Sequence, residues 1–134
     1  MKKLRIAFDI DDTLIVPSVA TGLPIDTPNY ENIAIYKFFQ AQGHHMILWS
    51  GSGMDWARTW GEKLGLQPDE VRVKKKTYSF MGDGVESHEC HSECDYPFVD
   101  ICFDDCDVDL AKVNVKVKRI NNNISREEWN KEKR

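Results

Sequence analysis

Short apolar runs that each stop on a polar residue, alternating with stretches of helical character, constrain this chain more than any other feature. Residues 4–10 read as a buried strand, His45-Met46-Ile47-Leu48-Trp49 as a second, and Phe98 to Phe103 as another. Val71 and Val73 alternate with Arg72 and Lys74, which predicts a short strand. Val113 to Val117 alternates with Asn114 and Lys116, as a half-exposed sheet edge would. Between these runs, Thr27-Pro28 has the form of a helix start, Thr as N-cap and Pro at the first helical position. That helix is expected from Asn29 to Gln42, ended by Gly43. A second is expected from Met54 to Leu64, ended by Gly65. Ser125 with Glu128 fits a capping box and predicts a short tail helix. The alternation implies an α/β fold with a mainly parallel five-stranded sheet and helices on both faces. Ligands of such sheets sit beyond the carboxyl ends of the strands, where Asp9, Ser50 and Asp104 all fall.

The length of 134 residues suits one domain spanning 1–134, large enough for a single core but not for a separate lid domain. A net charge of −4 argues against a general nucleic-acid binder, which carries a basic excess. It leaves a phosphorylated substrate open, because a bound cation can reverse the local field. No apolar run is long enough to cross a bilayer, and Arg5 and Asp9 interrupt the core that a signal peptide would need after Met1-Lys2-Lys3. The expectation is therefore a cytoplasmic protein without membrane partners. In that setting Cys90, Cys94, Cys102 and Cys106 read as thiols or metal ligands rather than disulfides.

Asp9-Ile10-Asp11-Asp12-Thr13 follows directly on the first buried run. Carboxylates at the end of a buried strand are unfavourable unless something neutralises them, and a divalent cation with a phosphate group would do so. Phe8-Asp9-Ile10-Asp11-Asp12-Thr13-Leu14 resembles the first motif of the haloacid dehalogenase-like (HAD) superfamily. Leu48-Trp49-Ser50-Gly51 resembles its second motif and Ile101-Cys102-Phe103-Asp104-Asp105 its fourth. The resemblance spans roughly residues 4 to 118, in the family's order and with the same placement at strand ends. It implies a three-layer, Rossmann-like HAD fold with a minimal cap.

The resemblance also implies a chemistry. Asp9 would be the nucleophile, attacking phosphorus to form an aspartyl-phosphate. Asp11 would protonate the leaving oxygen and then deprotonate the attacking water. A magnesium ion would be held by Asp9, the backbone carbonyl of Asp11 and Asp104, with Asp105 as a direct ligand or as support behind one. Ser50 would donate to a phosphoryl oxygen, and the Gly51-Ser52-Gly53 backbone would add amide donors. Thr13 would fix the loop after the nucleophile. The family needs a lysine to offset phosphoryl charge. Lys74-Lys75-Lys76 offers three candidates, of which Lys75 and Lys76 are favoured as nearer the strand end. Asp12 stands where many members carry glycine, though other phosphatases of the superfamily are acidic there.

Two segments lie outside this pattern. Residues 15–27, with Pro17, Gly22 and Pro24, read as a loop or small flap. The insert 77–97 carries His88, Cys90, His91 and Cys94. Their spacing matches no common paired zinc hook, and an ordered loop over the site or a redox pair of Cys90 and Cys94 are the other readings. Cys102 reads as a buried strand residue. Trp49, Trp56 and Trp60 read as core, with Trp56 and Trp60 sharing one helix face; an aromatic platform for a base is the alternative. The expected function is a magnesium-dependent phosphomonoesterase acting on a phosphorylated small molecule or macromolecule end. The alternatives are a polynucleotide-end phosphatase, which would need a basic track, and a non-catalytic metal-binding scaffold. The sequence does not set the oligomeric state.

Overall fold

The computed structural model describes residues 2–74 and 99–120. Its centre is β1 (Arg5–Asp9), flanked by β4 (His45–Ser50) and β6 (Ile101–Asp104). Outside these lie β5 (Glu70–Val73) and β7 (Val113–Lys116), giving the order β5-β4-β1-β6-β7. Every pairing in this sheet is parallel. The three inner strands are almost wholly buried, as a parallel sheet covered on both faces requires. Strand β7 is largely exposed, the edge that its polar alternation predicts.

Side chains alternate between the faces with period two. Ile6, Phe8, Met46, Leu48 and Phe103 form one layer with Ile33 and Tyr36 of α2 (Tyr30–Ala41) and Ala57 and Trp60 of α3 (Met54–Lys63). Phe8 stacks on Phe103 at 4.4 Å and meets the edge of Tyr36 at 5.2 Å. Ala7, Ile47, Trp49 and Cys102 face the other way, against Val99, Leu110 and Ala111. Both longer helices therefore cover the same face. Helices on the second face, expected from the sequence, are not seen among the described residues. None of the described helices is long and apolar enough to cross a membrane. The insert 77–97 with its histidines and cysteines, and the tail helix, lie outside the described residues.

The start of α2 corrects one expectation. Thr27 and Pro28 do not open the helix. They form β3 (Thr27–Pro28), which pairs antiparallel with β2 (Ile15–Val16). The cap is Asn29, whose side chain accepts from the Asn32 amide at 3.3 Å. A carboxamide two residues downstream thus does the work assigned to Thr27, and leaves Thr27-Pro28 to close the flap. The turn of helix within that flap is α1 (Ser18–Thr21). Gly43, at φ +89°, and Gly65, at φ +65°, end the two longer helices in the left-handed conformation expected of them.

Candidate functional site

The carboxyl edge of the sheet gathers buried polar groups. Asp9 ends β1 and is 5% exposed; Asp104 ends β6 and is 1% exposed. Between them stands Lys74, the first residue beyond β5. Its Nζ donates to Asp9 Oδ1 at 3.1 Å and to Asp104 Oδ2 at 2.7 Å. The Lys74 backbone N–H donates to the Ser50 carbonyl at 2.8 Å, so the pairing of β4 with β5 places this lysine. The lysine seen between the acids is therefore Lys74; Lys75 and Lys76, favoured from the sequence, lie outside the described residues.

The loop after β1 is tightly wound. The amides of Thr13, Leu14 and Ile15 all donate to the Ile10 carbonyl, at 3.2, 2.9 and 3.1 Å. This turns Thr13 back on Asp9, and its Oγ1 donates to Asp9 Oδ2 at 3.3 Å. Asn32 of α2 donates through Nδ2 to the Thr13 carbonyl at 2.8 Å and ties the loop to the helix. Asp12 has φ +65°, a conformation glycine takes freely and aspartate tolerates better than most residues. Asp11 is half-buried, and its Oδ1 accepts from the Trp56 indole N–H at 3.3 Å.

After β4, Ser50 is 1% exposed. Its Oγ accepts from the Ser52 amide at 2.9 Å, and its carbonyl accepts from the Gly53 amide at 3.1 Å. Of the three amides expected to serve an anion, those of Ser52 and Gly53 thus already bond to Ser50. Gly51, exposed in the turn, is the one left to that role. The Ser50 hydroxyl accepts internally and so retains its proton for donation to a ligand.

Asp105 is 8% exposed, and its Oδ2 accepts from both Nε and Nη2 of Arg119, at 3.0 and 2.6 Å. Two N–H groups on one carboxylate give a strong and directional pair. The sequence held no signal for Arg119: it lies 14 residues downstream in an otherwise unremarkable basic stretch. Cys102 is fully buried and Cys106 exposed, both with free thiols.

Electrostatically the edge is short of positive charge. Burial pushes Asp9 well above the usual carboxylate range; Lys74 pulls it down in part, and Asp104 pushes it up again. Asp104 is raised by burial against the pull of Lys74. Asp11 is raised by burial, with the Trp56 hydrogen bond opposing. Burial would lower Lys74, but the charges of Asp9 and Asp104 outweigh it and hold the ammonium above the usual lysine range.

These residues can hold a cation. Asp104, Asp105 and Cys106 bring ligand atoms within 4.8 Å of one another. Partial shielding of the Cys106 sulfur, though the residue as a whole is exposed, and then the charges of Asp105 and Asp104 push its thiol up, so it is the weakest member. The carboxylate oxygens of Asp104 and Asp105 are the hard ligands of this cluster; the nearby Asp9 shares Lys74 with Asp104. Comparison with protein-family models, with curated proteins and with solved structures gives no match to this chain.

Proposed function

We propose that the chain is a magnesium-dependent phosphomonoesterase of the haloacid dehalogenase-like type. The observation that carries this reading is the pair of buried carboxylates Asp9 and Asp104, on adjacent parallel strands, bridged by one buried lysine. A stability role does not account for them, because burial raises both acids despite that lysine.

Asp9 is the nucleophile. One of its oxygens bonds to phosphorus while the bond from phosphorus to the leaving oxygen breaks, and Asp11 gives its proton to that oxygen so that an alcohol departs. Water then attacks the aspartyl-phosphate, its proton passes to Asp11, and the bond from phosphorus to Asp9 breaks. Phosphate is released and both carboxyls return to their starting states. The raised Asp11 suits a group that must begin protonated. Ser50 and the Gly51 amide hold the phosphoryl oxygens, Thr13 fixes Asp9, and Lys74 offsets negative charge on the transferring group. Asp9, Asp104 and the Asp11 carbonyl would hold magnesium, which when bound supplies the positive charge that lets a carboxylate approach an anion. Asp105, held by Arg119, acts behind these ligands. The substrate class is a phosphomonoester on a small molecule or a macromolecule end.

The test is hydrolysis of para-nitrophenyl phosphate and a panel of phosphomonoesters with and without magnesium. Turnover that requires magnesium, and that falls by roughly a hundredfold or more in Asp11→Asn, is the expected result. No turnover on the whole panel would end this reading.

A further inference from the structure

Trp56 touches the site without being part of the chemistry assigned above. It lies in the first turn of α3, three residues past Gly53, and 45 residues separate it from the acid it contacts. Its indole N–H points at Asp11 Oδ1, and among the described residues this is the hydrogen bond that the Asp11 carboxyl makes. The ring is braced from behind. Trp56 meets the edge of Trp60 at 6.2 Å and 72° and packs against the core. Trp60 is in turn capped by the Lys63 ammonium at 4.8 Å from its ring centre. The turn leading into the same helix holds Ser50 through the Ser52 and Gly53 amides. One rigid unit thus sets both Ser50 and the partner of Asp11.

An indole nitrogen donates and cannot accept. Of the two oxygens of a neutral carboxyl the carbonyl oxygen is the better acceptor, so a facing N–H favours the unprotonated oxygen at that position. With Oδ1 engaged by Trp56, Oδ2 is the Asp11 oxygen left for proton transfer. We propose that Trp56 is a positioning residue that selects Oδ2 as the oxygen carrying the proton and holds it for transfer. This inference rests on the phosphatase reading. In the first half-reaction the Oδ2–H bond breaks as the proton passes to the leaving oxygen. In the second, a water proton forms that bond again. A smaller or freely turning acid would present the proton in the wrong direction for part of the time.

The experiment compares para-nitrophenyl phosphate, whose leaving group departs with little need of a proton, with β-glycerol phosphate, whose alkoxide needs one. The quantity is kcat/KM in magnesium, which reports the step in which the alcohol leaves. Trp56→Phe keeps the ring and removes the donor. It is expected to lower kcat/KM for β-glycerol phosphate by about tenfold or more, within the range of acid catalysis, and for para-nitrophenyl phosphate by no more than about threefold. Trp56→His, which keeps a ring N–H, should recover part of the loss. In an Asp11→Asn background Trp56→Phe should add less than about twofold. Trp60→Phe alters the neighbouring packing without touching Asp11 and should not separate the two substrates.

Equal losses on both substrates in Trp56→Phe, or an undiminished loss in the Asp11→Asn background, would overturn the assignment while leaving the phosphatase reading intact. Wild-type protein inactive on both substrates would overturn the phosphatase reading itself. Should Trp56→Phe fail to fold, Trp56→His decides: a substrate-independent loss there is equally fatal.

Discussion

Both ends of the sheet carry acidic side chains, but they treat them in opposite ways. At the amino end, Glu70 opens β5 and accepts from Arg5, His45 and Arg72, at distances from 2.6 to 3.0 Å. Asp100, just before β6, accepts from the Arg5 amide at 2.8 Å and pairs with Lys112. Burial would raise Glu70, yet its hydrogen bonds from His45 and Arg72 and the nearby arginine charges hold it below the usual range. The Arg5 amide does the same for Asp100. At the carboxyl end, Asp9 and Asp104 are raised despite Lys74. The amino-end acids are only partly buried and are matched with enough partners; the carboxyl-end acids are deeply buried and are not. A charge cluster kept for stability lowers its acids. One kept for binding and chemistry is left under-compensated until a ligand arrives.

This contrast can be broken most severely at Asp9. Asp9→Asn should lower turnover by roughly a thousandfold or more, yet the metal-free variant should melt no lower than wild type, because the amide resembles the neutral form that burial favours. A clear drop in melting temperature would place Asp9 with the structural acids instead. Lys74→Met comes next. It should reduce kcat by about a hundredfold or more and destabilise the metal-free protein by roughly 3 kcal/mol in urea titrations, since two buried carboxylates lose their shared cation. A loss of activity with no loss of stability would show that the bridge does not hold in solution.

Arg119→Ala should weaken magnesium binding by about ten- to a hundredfold, read by calorimetry, through release of Asp105. Unchanged affinity would remove Asp105 from the metal's surroundings. The smallest effect is expected at the far end. Glu70→Gln should change kcat/KM by less than about twofold and cost about 1 kcal/mol at neutral pH. The sign with pH is fixed by the lowered folded-state values of Glu70 and Asp100. Their contribution is complete above the unfolded carboxylate value of about 4 and is lost as pH falls through the lower folded value. In Glu70→Gln the acid limb of the stability profile should therefore be shallower; an identical limb would mean that the amino-end cluster contributes nothing.

The strands were legible because apolar runs and alternation are properties of short windows. The same holds for Asp9, Ser50 and Asp104, which simply end those runs. The start of α2 was misread because Thr27-Pro28 has the right chemistry for a cap, and only the pairing of Thr27 with Val16 and Pro28 with Ile15 rules it out. Among three consecutive lysines the chemistry is identical. Register brings Lys74 inward, since Val73 lies opposite Ser50 and sets Lys74 over the strand end. Trp56 was legible as a helix-face aromatic but not as a partner of Asp11, because that contact depends on how α3 leans toward the loop after β1. Arg119 reaches Asp105 from beyond the edge strand, a distance that no local pattern encodes.

Because Asp9, Ser50 and Asp104 end three neighbouring strands and Lys74 directly follows a fourth, anything that grips them together acts as a clamp across most of the sheet's width. A tight ligand at this edge would do more than occupy a pocket. It would link the unfolding of strands that otherwise could separate one at a time, and hydrogen exchange should slow in residues far from the point of attachment.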